Sequence, residues 1–382
     1  MSVQGGFFDI DERLAELSKK GDFLERLSTM LDFELFRPEL EKAVPRSDGA
    51  KGGRPAFDLV LMFKMLIIQT YYNLSDEMTE FMVKDRLTFM RFVGLGLGDR
   101  VPDANTLWIF REALTKANAL ESLFQSFDDL IREAGYLAMS GQIMDATIVA
   151  APRQRMTKEE KAIVKAGKVP EAWQDKPHKL SQKDRDARWH VRHGEDPGKQ
   201  RQEEEKYHPD QAGTQSNPSP SKTSQSTSGS AFTIPSFGYK NHICIDKRLG
   251  LIRKWVVTDA AAFEGHYLTC LLDKENTGSG VWADTAYRTH DNEDYLDEKG
   301  KVSKIHFKKP KGKRMSPQHT AANTARSKVR ACVEHVFAFQ KHTVNVFIRS
   351  IGIARAKTKL GLLNLCYNFK RLLYLESRAV CT

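Results

Sequence analysis

The sequence predicts an α/β protein: a mixed five-stranded sheet with helices on both faces, preceded by an all-helical N-terminal section. Three observations carry this expectation. Apolar residues recur at helical spacing up to about Gly135, β-branched apolar runs replace them from Gly141, and helical and strand-like segments then alternate to the C-terminus.

At 382 residues, 40% hydrophobic and 28% charged, the chain has the composition of a folded protein of two or three domains. Its longest apolar run, Leu59 to Ile68, is interrupted by Lys64. At about ten residues against the roughly 20 of a membrane span, the run reads as a buried helix and excludes a membrane protein. The N-terminus has no basic stretch followed by an apolar core, so the cytoplasm is the expected compartment. Cys244, Cys270, Cys332, Cys366 and Cys381 stand singly, without CxxC spacing. That argues against a thiolate zinc site or a disulfide framework, and the cysteines are expected reduced, four of them buried.

Net charge is +10, which alone only favours a polyanionic partner. Its distribution is more informative. Residues 299 to 375 hold eighteen Lys and Arg against one acid, Glu334, so this stretch carries +17 and the rest of the chain −7.

The helical section begins its clearest helix at Leu59, with Asp58 as cap, and runs to Leu74; Ser75 caps the next, and Asp103 after Pro102 caps a helix through Leu114. Gly135 closes a further helix over Leu120–Ala134. Residues 57–93 fit either a helix-turn-helix or a packing and dimerising bundle. The Gly94-Leu95-Gly96-Leu97-Gly98 run lacks the strand that a phosphate-binding loop would follow.

Gln142–Ala150 is the first strand, and Phe237–Asp246 with Leu251–Thr258 form a hairpin around Lys247–Gly250. A helix over Glu264–Asp273, a strand Gly280–Asp284, a helix Asp291–Glu298, a strand Val302–Phe307 and helices over Gln318–His342 and Lys357–Leu375 follow. Three strands in a meander, then helix–strand–helix–strand–helix, is the order of an RNase H-like fold. The expected division is a helical domain over 1–138, a catalytic domain over 139–151 and 236–382, and an insertion over 152–235. The insertion is charged at first and then so polar, over about 209–231, that disorder is expected. His190, His193 and His208 lie in it with no cysteine nearby, a poor metal site.

Phosphodiester transfer uses two hard divalent cations about 4 Å apart, held by carboxylates and phosphate oxygens. In this strand order the acids must come from the first strand, the end of the fourth strand and a late helix. Asp145 lies in the first strand between apolar neighbours, where a carboxylate needs a partner; a hydrogen-bonded structural Asp is the bland reading. Asp284 ends the strand VWAD, where turn residues also collect. Asp246 and Asp259 are rivals that end hairpin strands. Glu334 stands out by charge. At 100° per residue Arg330 and Lys341 fall within about 40° of it, while Val329, Cys332, Val333 and Val336 form another side. An i, i+4 pair with Arg330 explains the spacing but not the absence of every other acid. A carboxylate-poor surface suits a phosphate backbone, and Arg330 and Lys341 suit phosphate contact.

The motifs MDATIVAAP, DARWHVRHG, SFGYKNHICID, VVTDAAA, VWADTAYRT and RxxxE(x6)K resemble, in order, those of bacterial insertion-sequence transposases of the IS-five group, in the DDE superfamily. FELFRPELEKAV, GGRPAFDLVLMFKML and VPDANTLWIFREAL extend the resemblance through the helical section. It implies Asp145, Asp284 and Glu334 as catalytic acids holding two Mg²⁺ ions, with Mn²⁺ as a substitute, and no small-molecule substrate. It also implies double-stranded DNA as partner, both element ends and target, and a homodimer on that DNA in the bacterial nucleoid. Arg330, Glu334 and Lys341 match the family's tyrosine–arginine–glutamate–lysine signature, with Ser327 where the tyrosine would stand. Arg326, Lys240, His242, Tyr287 and Arg288 are further candidates for DNA contact. A nuclease without mobility keeps the same fold, and a DNA-binding regulator with an inert core is the alternative from another class; flanking inverted repeats and three intact acids are the respective discriminators.

Overall fold

The computed structural model describes residues 8–45, 55–193 and 233–379. The expected disordered stretch at 209–231, His208 and Cys381 lie outside them. The helical section comprises α1 (Asp9–Lys19), α2 (Phe23–Met30), α3 (Arg37–Ala43), α4 (Leu59–Tyr71), α5 (Asp76–Asp85), α6 (Leu87–Val93), α7 (Ala104–Lys116) and α8 (Leu120–Glu133). The three expected caps form: Asp58 accepts from the Val60 and Leu61 amides, Ser75 from Met78 and Asp103 from Thr106. The apolar run of α4 is buried on almost every side, which is why its sequence lacks a polar face.

The second section runs β1 (Gln142–Ala150), α9 (Lys158–Lys165), α10 (Glu171–Gln174), α11 (Pro177–Gln182), β2 (Arg188–His193), β3 (Thr233–Asp246), β4 (Ile252–Asp259), α12 (Leu268–Leu271), β5 (Gly280–Trp282), α13 (His290–Glu298) and β6 (Val302–Ser303). Then come α14 (Pro317–Arg330), α15 (Glu334–Ala338) and α16 (Ile353–Ala379). The sheet order is β2-β3-β1-β5-β6, with β4 also on β3; β1, β2 and β4 pair antiparallel with β3, and β1, β5 and β6 are parallel. Fold class is as the sequence predicts, with one strand more.

That sixth strand, β2, comes from the insertion, where RWHVRH pairs with an early extension of β3. Tyr239 ties the insertion down by donating to Asp184 at 2.7 Å, and Trp173 forms its small core. β5 and β6 are shorter than expected, yet amides of Lys304 and His306 reach the carbonyls of Val281 and Ala283 and continue the parallel ladder. The expected helix at 264–273 opens as a 3₁₀ turn, Glu264–Tyr267. The long helix expected over 318–342 is broken instead: α14 passes through a 3₁₀ turn at Ala331–Val333 into α15, which ends in a π turn at Phe339–Thr343. α14 buries no residue, whereas Val333, Val336, Phe339 and Gln340 are buried, so the winding changes where the chain meets the core.

One hydrophobic core runs from Leu24 through the N-terminal helices, under β1 at Ile143 and Val149, to Leu373 of α16. A smaller one on the opposite face holds Met144, Cys244, Val281, Tyr287 and Ile305. Alternation along the strand sends Ile143 to one and Met144 to the other. Two cysteine expectations fail: Cys270 on α12 and Cys332 in the 3₁₀ turn are exposed, and only Cys244 and Cys366 are buried among the described residues. No described helix is long and apolar enough to cross a membrane.

Candidate active site

β1 and β5 hold register only at Gln142↔Val281 and Ile143↔Trp282. Asp145 and Asp284 each lie two residues beyond the last pair, so they occupy equivalent positions on neighbouring parallel strands, on the face of Ile143 and Trp282, where the strands part. The apolar pairing before them fixes both. Asp145 is 9% exposed and its Oδ1 accepts from the Ala146 amide at 2.8 Å. Asp284 is half-buried and caps the 3₁₀ turn Thr285–Tyr287 through the Ala286 amide at 2.8 Å, so it is a turn residue as well as a site candidate.

Arg330, at the end of α14, reaches across and donates from Nη2 to Asp145 Oδ2 at 2.9 Å. Burial works against its charge, but Asp145, Asp284 and Glu334 together hold the guanidinium above its ordinary value. Burial pushes the Asp145 carboxyl up; Arg330 offsets this in part, and the charge of Asp284 adds to it. Glu334, exposed, is the first residue of α15, directly after the 3₁₀ turn that faces β1. Arg330 is thus hydrogen-bonded to Asp145, and the charges of Asp284 and Glu334 also act on its guanidinium.

The other candidates divide. Lys341 is exposed. Arg326 donates to the Ile305 carbonyl at 2.7 Å, and its guanidinium and that of Arg288 each stand 4.2 Å from the Phe307 ring, against which His319 stacks. Ser327 lies 3.3 Å from His306 Nε2. Lys240, His242 and Tyr287, by contrast, are interior and form no part of a DNA-facing surface. His242 faces Thr258 Oγ1 at 2.9 Å, and burial pulls its ring down to about 3, so it stays neutral at any ordinary pH. The rivals are turn caps: Asp246 accepts from the Arg248 and Leu249 amides, and Asp259 from Ala261.

Sequence reasoning missed Glu264. Its carboxylate is largely buried and pairs with Lys240 Nζ at 3.1 Å, and the charges of both Asp284 and Asp145 act on it. Nothing in composition marks it, because it sits among ordinary acids.

Whether these residues fit a divalent cation is a question of donors and charge. The donors are hard oxygens of the type Mg²⁺ takes. Two buried polar atoms at the site, Tyr287 Oη and Arg330 Nε, have no hydrogen-bond partner. As placed, Asp145 pairs with Arg330 and Asp284 with the Ala286 amide, and among the described residues no three or more His, Cys, Asp or Glu side chains form a group that could hold a metal ion. Donor type and charge fit; in this arrangement a guanidinium is the counter-ion.

Two family models match the chain: Transposase domain (DUF772) over residues 12–113 and Transposase DDE domain over residues 214–369. The second contains Asp284, Arg330 and Glu334 but begins after Asp145. No solved structure matches the chain.

Proposed function

We propose that this chain, matched by a transposase domain model over residues 12–113 and a transposase DDE domain model over residues 214–369, is an insertion-sequence transposase of the IS-five group that binds the inverted repeats of its own element, cuts at their ends and joins the freed 3′-hydroxyl to target DNA. The observation that supports the reading best is that Arg330 pairs with Asp145, while Asp145 and Asp284 each lie two residues beyond the last register pair of adjacent parallel strands and Glu334 follows Arg330 by four residues. In this reading the three acids hold two divalent cations, Mg²⁺ with Mn²⁺ as a substitute. The cations, when bound, activate the attacking oxygen and neutralise charge on the leaving oxygen.

The chain's own residues do the rest. Arg330, once drawn off Asp145, holds a phosphate next to the scissile bond, and exposed Lys341 holds one farther along. Arg288 and Arg326, spaced by the Phe307 ring, carry the flanking backbone. No side-chain nucleophile is needed, since the displacement at phosphorus is in line. The helical section, 1–138, recognises the ends or dimerises; residues 139–151 and 236–382 form the catalytic unit, 152–235 its insertion, and two copies act on two DNA ends in the nucleoid.

Incubation of wild type and Glu334→Gln with end-sequence DNA and Mg²⁺ tests this. We expect the wild type to nick at the element boundary and yield joined products, and the variant to lose both by at least about a hundredfold, as removal of a group acting only in the transition state does. Cleavage without joining would leave a nuclease; undiminished cleavage by the variant would remove the site.

A further inference from the structure

The helical section and the C-terminal helix enclose a cavity of about 480 Å³ that none of Asp145, Asp284 and Glu334 lines. Trp108, Arg111, Glu112 and Thr115 of α7 follow one another at i, i+3, i+4 and i+7, and Arg355 and Lys359 of α16 at i and i+4, so each helix turns one face to this space. The hydroxyls of Thr115 and Thr358, 2.8 Å apart, join the two helices beside it. Arg349, from the segment before α16, supplies a further wall. That segment is anchored to the sheet, since the Ile348 amide donates to the Ala150 carbonyl of β1 at 2.9 Å.

Four cations line the cavity, and two of them are matched. Arg111 donates to both oxygens of Asp76, at 2.6 and 2.9 Å, and Arg355 to both oxygens of Glu112, at 2.7 and 2.8 Å. These two-point pairs occupy both acids and fix both arginines. Lys359, half-buried, and Arg349, exposed, have no hydrogen bond or ion pair with any described residue. The remaining acid of the lining, Glu77, is exposed. Burial, then the charges of Arg349 and Arg111, pull the Lys359 ammonium down to about 8, with Asp76 acting against them. An ammonium and a guanidinium that open on one cavity without an acceptor suit a dianion. A phosphate, whose oxygens accept from both, fits them better than a single carboxylate. The Trp108 ring, 44% exposed, adds a flat apolar surface to the same lining, of the kind on which bases stack. The volume falls within the range of about 300–1,000 Å³ usual for sites that take small ligands.

We propose that this cavity is a nucleotide site, in which Lys359 and Arg349 take the phosphate and the Trp108 ring stacks on the base. The nucleotide arrives free or as the unpaired end of a DNA strand, the second source resting on the transposase reading above. From either source it bridges α7 of the helical section to α16.

Calorimetric titration of the full chain with dAMP, with a single strand of about five nucleotides and with inorganic phosphate tests the proposal. Saturable binding of the strand assigns a DNA end, and binding of dAMP without the strand assigns a free nucleotide. Lys359→Met should weaken whichever binds by about tenfold or more without lowering the melting temperature, because it removes an unmatched charge. Trp108→Ala should weaken it by about fivefold or more and leave inorganic phosphate binding as in wild type. Absence of saturable binding by both probes, or wild-type binding in Lys359→Met, overturns the proposal. Should Lys359→Met not fold, Arg349→Met at its exposed position decides in the same way. Binding that depends on Lys359 but not on Trp108 also overturns the nucleotide, leaving a bare phosphate site. Cleavage at element ends is read separately: a chain that cuts DNA but binds no nucleotide here sinks only the cavity, and one that binds dAMP but cuts no DNA sinks only the transposase reading.

Discussion

Arg330 shows how much a single side chain carries here. It pairs with buried Asp145 and lies in the field of Asp284 and Glu334, so replacing it leaves a buried carboxylate without its counter-ion. Arg330→Met is expected to lower stability by about 1–3 kcal/mol without added cation, with much of the loss recovered by millimolar Mg²⁺; melting curves with and without Mg²⁺ check it. Equal loss in both conditions would make Arg330 a structural residue only. Lys359 is a second charge at odds with its surroundings. It lines a cavity of about 480 Å³ with Trp108, Arg111 and Arg349, and burial followed by those two arginines pulls its ammonium down to about 8. The sign follows. A lysine depressed in the folded state binds less proton than the unfolded chain, so stability rises with pH between about 8 and 10.5 and is at its full deficit below that window. Lys359→Met should therefore stabilise by about 1–2 kcal/mol at pH 7 and by almost nothing above pH 10.5, read from urea melts at the two pH values.

At the scale of elements, the sheet is joined to the helical section by a carboxylate shared between two guanidiniums. Asp128 of α8 accepts from Arg253 of β4 at 2.6 Å and from Arg132 at 2.7 Å, and Arg253 is wholly buried. Removing one member of such a group strands the others away from water. Asp128→Asn is expected to cost about 3–5 kcal/mol in a denaturant melt, far more than any surface ion pair of the chain, where exposed pairs contribute about 1 kcal/mol or less. The broken helix 317–343 belongs to this scale too. A straight helix would carry Arg330 and Glu334 on one continuous stripe, whereas the 3₁₀ turn between them sets Glu334 at the start of a new segment, directly after the turn that faces β1. Periodicity does not announce such a break, because each half keeps helical spacing and only the demand to bury Val333 and Val336 while leaving α14 exposed alters the winding.

Across the whole molecule, one section of +17 and a remainder of −7 make a strongly polar charge distribution. Proposed as the DNA-facing surface, the C-terminal section should bind element-end DNA with an affinity that falls steeply with salt, by about three decades or more between 50 and 200 mM if six or more phosphates are neutralised. Fluorescence anisotropy across that range measures the slope, and a nearly flat log–log plot would remove this surface from the DNA. Lys341→Met should lower the slope by about one, since it gives up a single contact.

From the sequence alone came the α/β class, the strand order, the three helix caps and the prominence of Glu334, because each depends on local spacing, turn chemistry or charge counted along the chain. Asp145 and Asp284 were legible as positions on neighbouring strands, but neither their register nor the counter-ion of Asp145 was. Only the pairing of β1 with β5 sets each two residues beyond the last register pair, and only the approach of α14 supplies Arg330. The interior places of Lys240, His242 and Tyr287, the strand from the insertion and the Glu264 turn were equally out of reach. Each is decided by which distant segments pack together, a matter of long-range backbone pairing and burial that periodicity in one segment does not contain.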